Sequence, residues 1–169
     1  NNFDRFFDNQ IIENDGITMD FTKPNRVNGH EVLTDPGGFL EIEPVIFGYN
    51  REYEPAEGDI VLDGGAYYGM FTMLASGKVG KTGHVYAFEP DPDNFALLKK
   101  NVEINGYKNI VLEQKAVSDR TGRATLYLST TNFGDHRIHD THGGRAAIEV
   151  ETVRLDDYFR GSFVTPDFI

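Results

Sequence analysis

Two acidic residues, 26 positions apart, each close a short apolar run: Asp63 in "GDIVLDGGAYYGMFT" and Glu89 in "GHVYAFEPDPDNF". Asp63 opens a glycine-rich turn in which Gly64, Ala66 and Gly69 imitate the G-x-A-x-x-G of a dinucleotide site. Such a site seats a pyrophosphate on a helix N-terminus, and its second glycine lets the backbone approach the phosphates. Here Ala66 is expected to bring a Cβ toward that place, and Asp63 adds a negative charge beside it. A pyrophosphate is repelled by that pair, whereas an ammonium group is welcome. A ligand with an adenosine, no phosphates and a zwitterionic amino-acid tail fits both features, and S-adenosylmethionine is that ligand. Glu89 is placed to accept hydrogen bonds from both ribose hydroxyls. Ribose recognition alone does not separate NAD from S-adenosylmethionine, so the turn decides.

The flanking pattern supplies elements to hold these groups. Ile60, Val61 and Leu62 are apolar throughout, as a parallel strand covered on both faces would be. "GMFTMLASG" reads as a helix ending near Gly77, and "GHVYAFEPD" as a second strand, Val85 to Phe88. Asp91 then caps a helix with Pro92 at its first position and Asp93 at the positive dipole end. Phe95, Leu98 and Val102 form its apolar stripe, and Gly106 terminates it. "NIVLEQKAV" is a third strand, with Ile110 to Glu113 outside the second. The expected fold is therefore α/β, a Rossmann-like parallel sheet in the order 3-2-1-4, with Asp63 and Glu89 in one crevice at its carboxyl edge. "ATLYLST" and "AAIEVETVRL" alternate with period two and predict an inserted antiparallel pair, joined by a long polar loop. "LDDYF" reads as a connector, and "PDFI" as the start of another strand. Residues 1–57 read as an N-terminal extension, either a packing flap or a lid, and 58–169 as the ligand-binding domain. Within the extension, "GITMDF" predicts a short strand, "KPNRVNGHE" a loop, and "FLEIEPVIFGYNREYEP" a short helix or strand limited by Pro44 and Pro55.

Composition narrows the partners. Hydrophobic residues make up 39% of the 169 positions, enough for a globular core, and Lys and Arg total 16 against 27 Asp and Glu. A net charge of −11 disfavours a phosphate-backbone binder, so no nucleic-acid partner is expected. There are no cysteines, which removes disulfides and thiolate metal sites. The absence of a signal peptide and of a membrane-length apolar run predicts a cytoplasmic protein without a membrane partner.

"GDIVLDGGAYYGMFT", "VYAFEPDPDNFALLKKNVEING" and "EQKAVSDRTGRATLYLS", followed in order by "GDHRI" and "ETVRLDDYF", resemble FkbM-like methyltransferases of the class I S-adenosylmethionine-dependent superfamily. The resemblance covers residues 53–169. It implies Asp63, Gly65 and Gly69 in the methionine-side turn, Glu89 at the ribose, Pro90 beside the adenine, and Ala116 and Val117 at its edge. With their neighbours Gly64, Ala66, Tyr67, Thr72, Asp91 and Asn94, these form the expected cofactor set. Tyr67 departs from the pattern, which often carries Asn there. The resemblance further implies O-methylation of a small-molecule hydroxyl, often on a sugar or polyketide-like scaffold. Alignment of acceptor, methyl and sulfur is then the main catalytic contribution, with a base needed only when a hydroxyl must lose its proton. No residue is assigned as that base.

Other readings stay open beside it. One is an NAD-dependent oxidoreductase, which shares the strand, turn and acid; another is a non-catalytic Rossmann-like binding module. His136, His139 and His142, with Asp135 and Asp140, lack the spacing of one helix face, so no metal is expected, and His136 and Arg137 read as acceptor-pocket contacts. The ending at "PDFI" predicts a cut within a strand, with the cofactor half present and the acceptor half largely missing. Such a chain would have little turnover and would self-associate into a homo-oligomer through an unpaired sheet edge.

Overall fold

The computed structural model describes residues 11–14, 17–20, 25–27, 30–33, 54–129, 135–138 and 145–169. From position 60 the elements are β5 (Ile60–Gly64), α1 (Met70–Val79), β6 (His84–Phe88), α2 (Pro92–Asn105), β7 (Ile110–Glu113), β8 (Ala116–Val117), β9 (Gly122–Tyr127), β10 (Ala147–Val153) and α3 (Leu155–Tyr158). Two short hairpins precede them, β1 (Ile11–Asn14) with β2 (Ile17–Asp20), and β3 (Asn25–Val27) with β4 (His30–Val32).

Strands β5, β6 and β7 form a parallel sheet in the order β7-β6-β5. Its paired residues sort into two faces. Val61, Val85 and Ala87 meet Ala75 and Val79 of α1 and Leu98 and Val102 of α2. Leu62 and Phe88 meet Val153, Leu155, Tyr158 and Phe159 on the other face. Coverage on both sides explains why the apolar runs Ile60 to Leu62, Val85 to Phe88 and Ile110 to Leu112 carry no alternation. Along the far edge of β5, Phe168 makes a parallel bridge to Val61, the Leu62 N–H donates to the Phe168 carbonyl at 2.9 Å, and the Asp167 N–H donates to the Ile60 carbonyl at 2.8 Å. A second sheet has the order β8-β10-β9, with β9 antiparallel and β8 parallel to β10.

Several boundaries differ from the sequence reading. Helix α1 continues past Gly77, which costs about 1 kcal/mol on an exposed face, because Val79 is fully buried in the next turn and Gly80, at φ +66°, is the actual terminator. "NIVLEQKAV" divides into β7 and β8, which belong to different sheets. The chain makes a tight turn between them, with the Lys115 N–H on the Glu113 carbonyl at 2.9 Å. "LDDYF" contains one helical turn, α3. The stretch read as loop-like around "KPNRVNGHE" contains the β3–β4 hairpin, in which Val27 faces His30 across an Asn-Gly pair in the sequence. The expectation for "FLEIEPVIFGYNREYEP" falls almost wholly outside the described residues, as does a lid in 1–57 over most of its length. Among the described residues no helix is long and apolar enough to cross a membrane.

Candidate functional site

The glycine-rich turn hangs from the end of β5 and is fastened to the end of β6. The Gly65 and Ala66 N–H groups both donate to the Phe88 carbonyl, at 2.9 and 3.0 Å. Gly65 has φ +95°, and a Cβ built on it would meet nothing within 4 Å, so this side of the turn is open to an approaching ligand. Gly69 has φ +92°, and a Cβ there would lie 2.4 Å from Leu98 Cδ1, so it lets α1 and α2 close over the turn. Tyr67 stands between them at φ +54°, a left-handed conformation that Asn accepts more readily than Tyr.

Asp63 and Thr72 act together. Gly69 is the N-cap of α1 and has no side chain to cap it. Asp63 does so from the end of β5: its carboxylate accepts from the Thr72 hydroxyl and from the Thr72 backbone. Ala66 is placed otherwise than the sequence reading required. It is buried with Ala87, Leu98 and Val102, so its methyl group faces the core and not a bound ligand. The steric part of the case against a pyrophosphate is thereby lost. The charge of Asp63 remains.

Glu89 is 4% exposed and sits at the centre of the site. Its Oε2 accepts from the Tyr67 N–H at 2.8 Å, its Oε1 from the Asp91 N–H at 2.9 Å, and the Asn94 side chain adds a third hydrogen bond. A carboxylate has about four acceptor positions, so about one further donor can be received. Asp91 caps α2 as its sequence predicts, with Oδ1 accepting from the Asp93 and Asn94 N–H groups at 3.0 and 2.9 Å. Pro90 lines a cleft of about 570 Å³ with Pro92, Gln114, Lys115 and Ile148 to Glu151 of β10. Val117 packs near the turn, its Cγ2 3.8 Å from where a Cβ on Gly64 would lie. Ala116 buries its methyl group among Leu126 and Val150 of the second sheet.

His136 is drawn into the same region, though not as an open contact. Its Nδ1 accepts from the Ser129 N–H at 3.0 Å, which puts the proton of the neutral ring on Nε2, 3.8 Å from Asp91 Oδ2. Burial lowers its pKa, against the pull of Asp91. The ring thus brings the segment after β9 alongside the start of α2. Arg137 donates from Nε to Asp135 Oδ1 at 2.8 Å, and Arg145 binds the other carboxylate oxygen at the same distance. His139, Asp140 and His142 lie outside the described residues, among which no cluster suits a metal ion.

Nothing in the residue pattern points to Asn101, fully buried on α2, or to the Tyr158 hydroxyl donating to Glu113 at 2.8 Å. Asn94 and Asn101 are seven residues apart and share the buried face, a spacing that a search for apolar stripes passes over.

Burial pushes the carboxyl of Asp63 up to about 6 and that of Glu89 up to about 7. Between their ordinary values and these, the folded chain holds more protons than the unfolded one. The stability they contribute is complete at low pH and is lost as pH rises through about 6 and 7. Urea midpoints of the ligand-free chain are expected to fall from about pH 5 to about pH 8, and Glu89→Gln to flatten the fall above about pH 6. Parallel curves for the two proteins would reject the assignment to Glu89.

The profile of the methyltransferase FkbM domain family matches residues 63–169, and the chain belongs to that family. Over 59 residues it is 42% identical to a protein-L-isoaspartate O-methyltransferase of Methanosarcina mazei, covering 35% of this chain and 24% of the relative. An uncharacterized protein of Methanocaldococcus jannaschii is 41% identical over 54 residues, 32% of this chain and 20% of its own. The chain thus spans about a quarter or less of the length of these relatives. A crystal structure of a SAM-dependent methyltransferase from Aquifex aeolicus aligns at 29% identity and a TM-score of 0.36, over 46% of this chain and 40% of that one.

Proposed function

We propose that this chain carries the S-adenosylmethionine site of a methyltransferase that acts on a hydroxyl oxygen of a small molecule or sugar. The observation that carries the reading is buried Glu89 at the end of β6, bonded to a turn whose Gly65 side is open. The residues suit the group: two carboxyls raised by burial gain from a cationic partner, and Glu89 keeps acceptor capacity for a ribose hydroxyl. Bound there, S-adenosylmethionine would supply an activated methyl on its sulfonium. The chain's own part is to orient. Glu89 fixes the turn and receives a hydroxyl, Asp63 keeps negative charge beside the turn, and the cleft at Pro90 offers room for a flat base. The family membership and the isoaspartate O-methyltransferase relative support methyl transfer to oxygen.

NAD is the second reading, favoured by one specific finding, the inward methyl group of Ala66. Calorimetry with S-adenosylhomocysteine and NAD in parallel separates the two. Saturable heat with the first and none with the second is expected; the reverse would overturn the proposal. A panel of sugar and small-molecule hydroxyl acceptors, incubated with methyl-labelled cofactor and the protein, tests the acceptor class.

A further inference from the structure

Helix α2 presents two carboxamides to strand β4 and to Leu33, the residue that follows it. Asn101 Oδ1 accepts from the Leu33 N–H at 2.7 Å, and its Nδ2 donates to the Leu33 carbonyl at 2.8 Å. One turn on, Asn105 Oδ1 accepts from the Glu31 N–H at 2.9 Å, and its Nδ2 donates to the Glu31 carbonyl at 2.7 Å. A carboxamide carries a donor and an acceptor side by side, as a peptide group does. Residues four apart on a helix are about 5–6 Å apart at Cβ, close to the roughly 6.6 Å between alternate strand residues. The two asparagines therefore act as rungs of a ladder on which an extended chain docks through Glu31 and Leu33.

The two rungs are not equivalent. Asn101 Nδ2 also donates to the Tyr68 carbonyl at 2.7 Å, inside the glycine-rich turn. Val32 and Leu33 are buried in one cluster with Tyr67, Tyr68, Met70, Met73 and Leu97. Tyr67 holds a left-handed backbone, which a tyrosine keeps only where its surroundings impose it. Its N–H is the one that Glu89 receives.

We propose that Asn101 is a positioning residue that couples β4 to the cofactor turn, so that the Tyr67 N–H stays on Glu89 while β4 is docked. Cofactor binding and strand docking then reinforce each other, a consequence that rests on the S-adenosylmethionine reading above. Asn105 is the internal comparison: its bonds to Glu31, to the Asn101 carbonyl and to Met73 Sδ do not reach the turn, so its removal loosens the strand without touching the Tyr68 contact.

Amide hydrogen exchange on the full chain tests this. In the wild type, the Leu33 and Tyr67 amides are expected to exchange through one shared opening with the same denaturant dependence. S-Adenosylhomocysteine at about 100 times its Kd should slow both by about 100-fold. Asn101→Asp keeps an acceptor for Leu33 but loses both donated bonds. It should lower Tyr67 protection in the ligand-free chain by about tenfold, and cofactor affinity by a similar factor. Asn105→Ala loosens the strand at Glu31 but leaves Asn101 in place, so it should lower Leu33 and Tyr67 protection by the same factor. Unchanged Tyr67 protection in a folded Asn101→Asp chain would overturn the proposal. So would independent opening of Leu33 and Tyr67 in the wild type, which decides the matter if the variant does not fold. Failure of the wild type to bind S-adenosylhomocysteine would reject the cofactor reading, while the ligand-free exchange would still decide the role of Asn101.

Discussion

Gly69→Ala is expected to destabilise the folded chain by about 2–6 kcal/mol, combining about 1–3 for a left-handed non-glycine backbone with about 1–3 for overpacking. Both terms come from the same position. The residue has φ +92°, and its added methyl would lie 2.4 Å from Cδ1 of Leu98, which is fully buried. Leu98 cannot swing away, because it is packed among Ala66, Ala87 and Val102. Relief must therefore come from α1 moving off α2, and α1 carries Thr72, the partner of Asp63. Urea unfolding measures the loss. Leu98→Ala should remove the clash, so the double variant is expected to cost less than the sum of the single ones. Strict additivity would show that the backbone conformation, and not the contact, carries the penalty. A Gly69→Ala chain as stable as the wild type would show that the turn does not require glycine here.

What could be read from the residues was the part set by local signals. Asp91-Pro92-Asp93 and Gly106 bound α2 at both ends because capping chemistry is local, and Asp91 accepts the predicted backbone bonds. The parallel strands β5, β6 and β7 were legible because burial on both faces leaves unbroken apolar runs. The division of "NIVLEQKAV" between two sheets was not, since both halves are apolar and only pairing partners 25 and 36 residues away distinguish them. The β3–β4 hairpin did leave a mark, the Asn-Gly pair at positions 28–29, but its flanks are too short and polar to register as strands. In the turn, residue types pointed to the right place while side-chain direction did not follow from them. Ala66 follows Gly65 at φ +95° and lies buried in the core, a placement that residue type alone does not encode. Asn101 was invisible for a different reason: its partners are backbone groups, Leu33 and Tyr68, and backbone leaves no compositional trace.

Glu89→Ala is expected to weaken S-adenosylhomocysteine binding by about 1–3 kcal/mol, the scale for hydrogen bonds to a charged group, and Gly65→Val by more. The two act in different ways. Removing the Glu89 carboxylate deletes an acceptor for the ligand and releases the Tyr67 and Asp91 N–H groups, so the turn loses its fastening as well. Gly65 makes no such bonds through a side chain. A Cβ there meets no protein atom within 4 Å, so a valine would stand in the open space that the ligand must enter. Its φ of +95° is also one that a β-branched residue resists, so the turn would be reshaped besides being filled. An affinity loss beyond about 100-fold is therefore expected for Gly65→Val, since each 1.4 kcal/mol is a factor of ten. The pH profile distinguishes loss of the carboxylate from loss of the fold. With Glu89 raised to about 7, a ligand whose ribose hydroxyl donates to the carboxylate is favoured as the carboxyl ionises, so wild-type affinity should rise from about pH 6 to about pH 8. Glu89→Gln should bind more weakly and lose most of that rise, leaving the smaller contribution of Asp63 at about 6. Calorimetric titrations at fixed ionic strength, with circular dichroism to establish that each variant is folded, give both results. Unchanged affinity in folded Glu89→Ala and Gly65→Val chains would place the ligand elsewhere, and a wild-type affinity flat across that range would remove Glu89 from its binding.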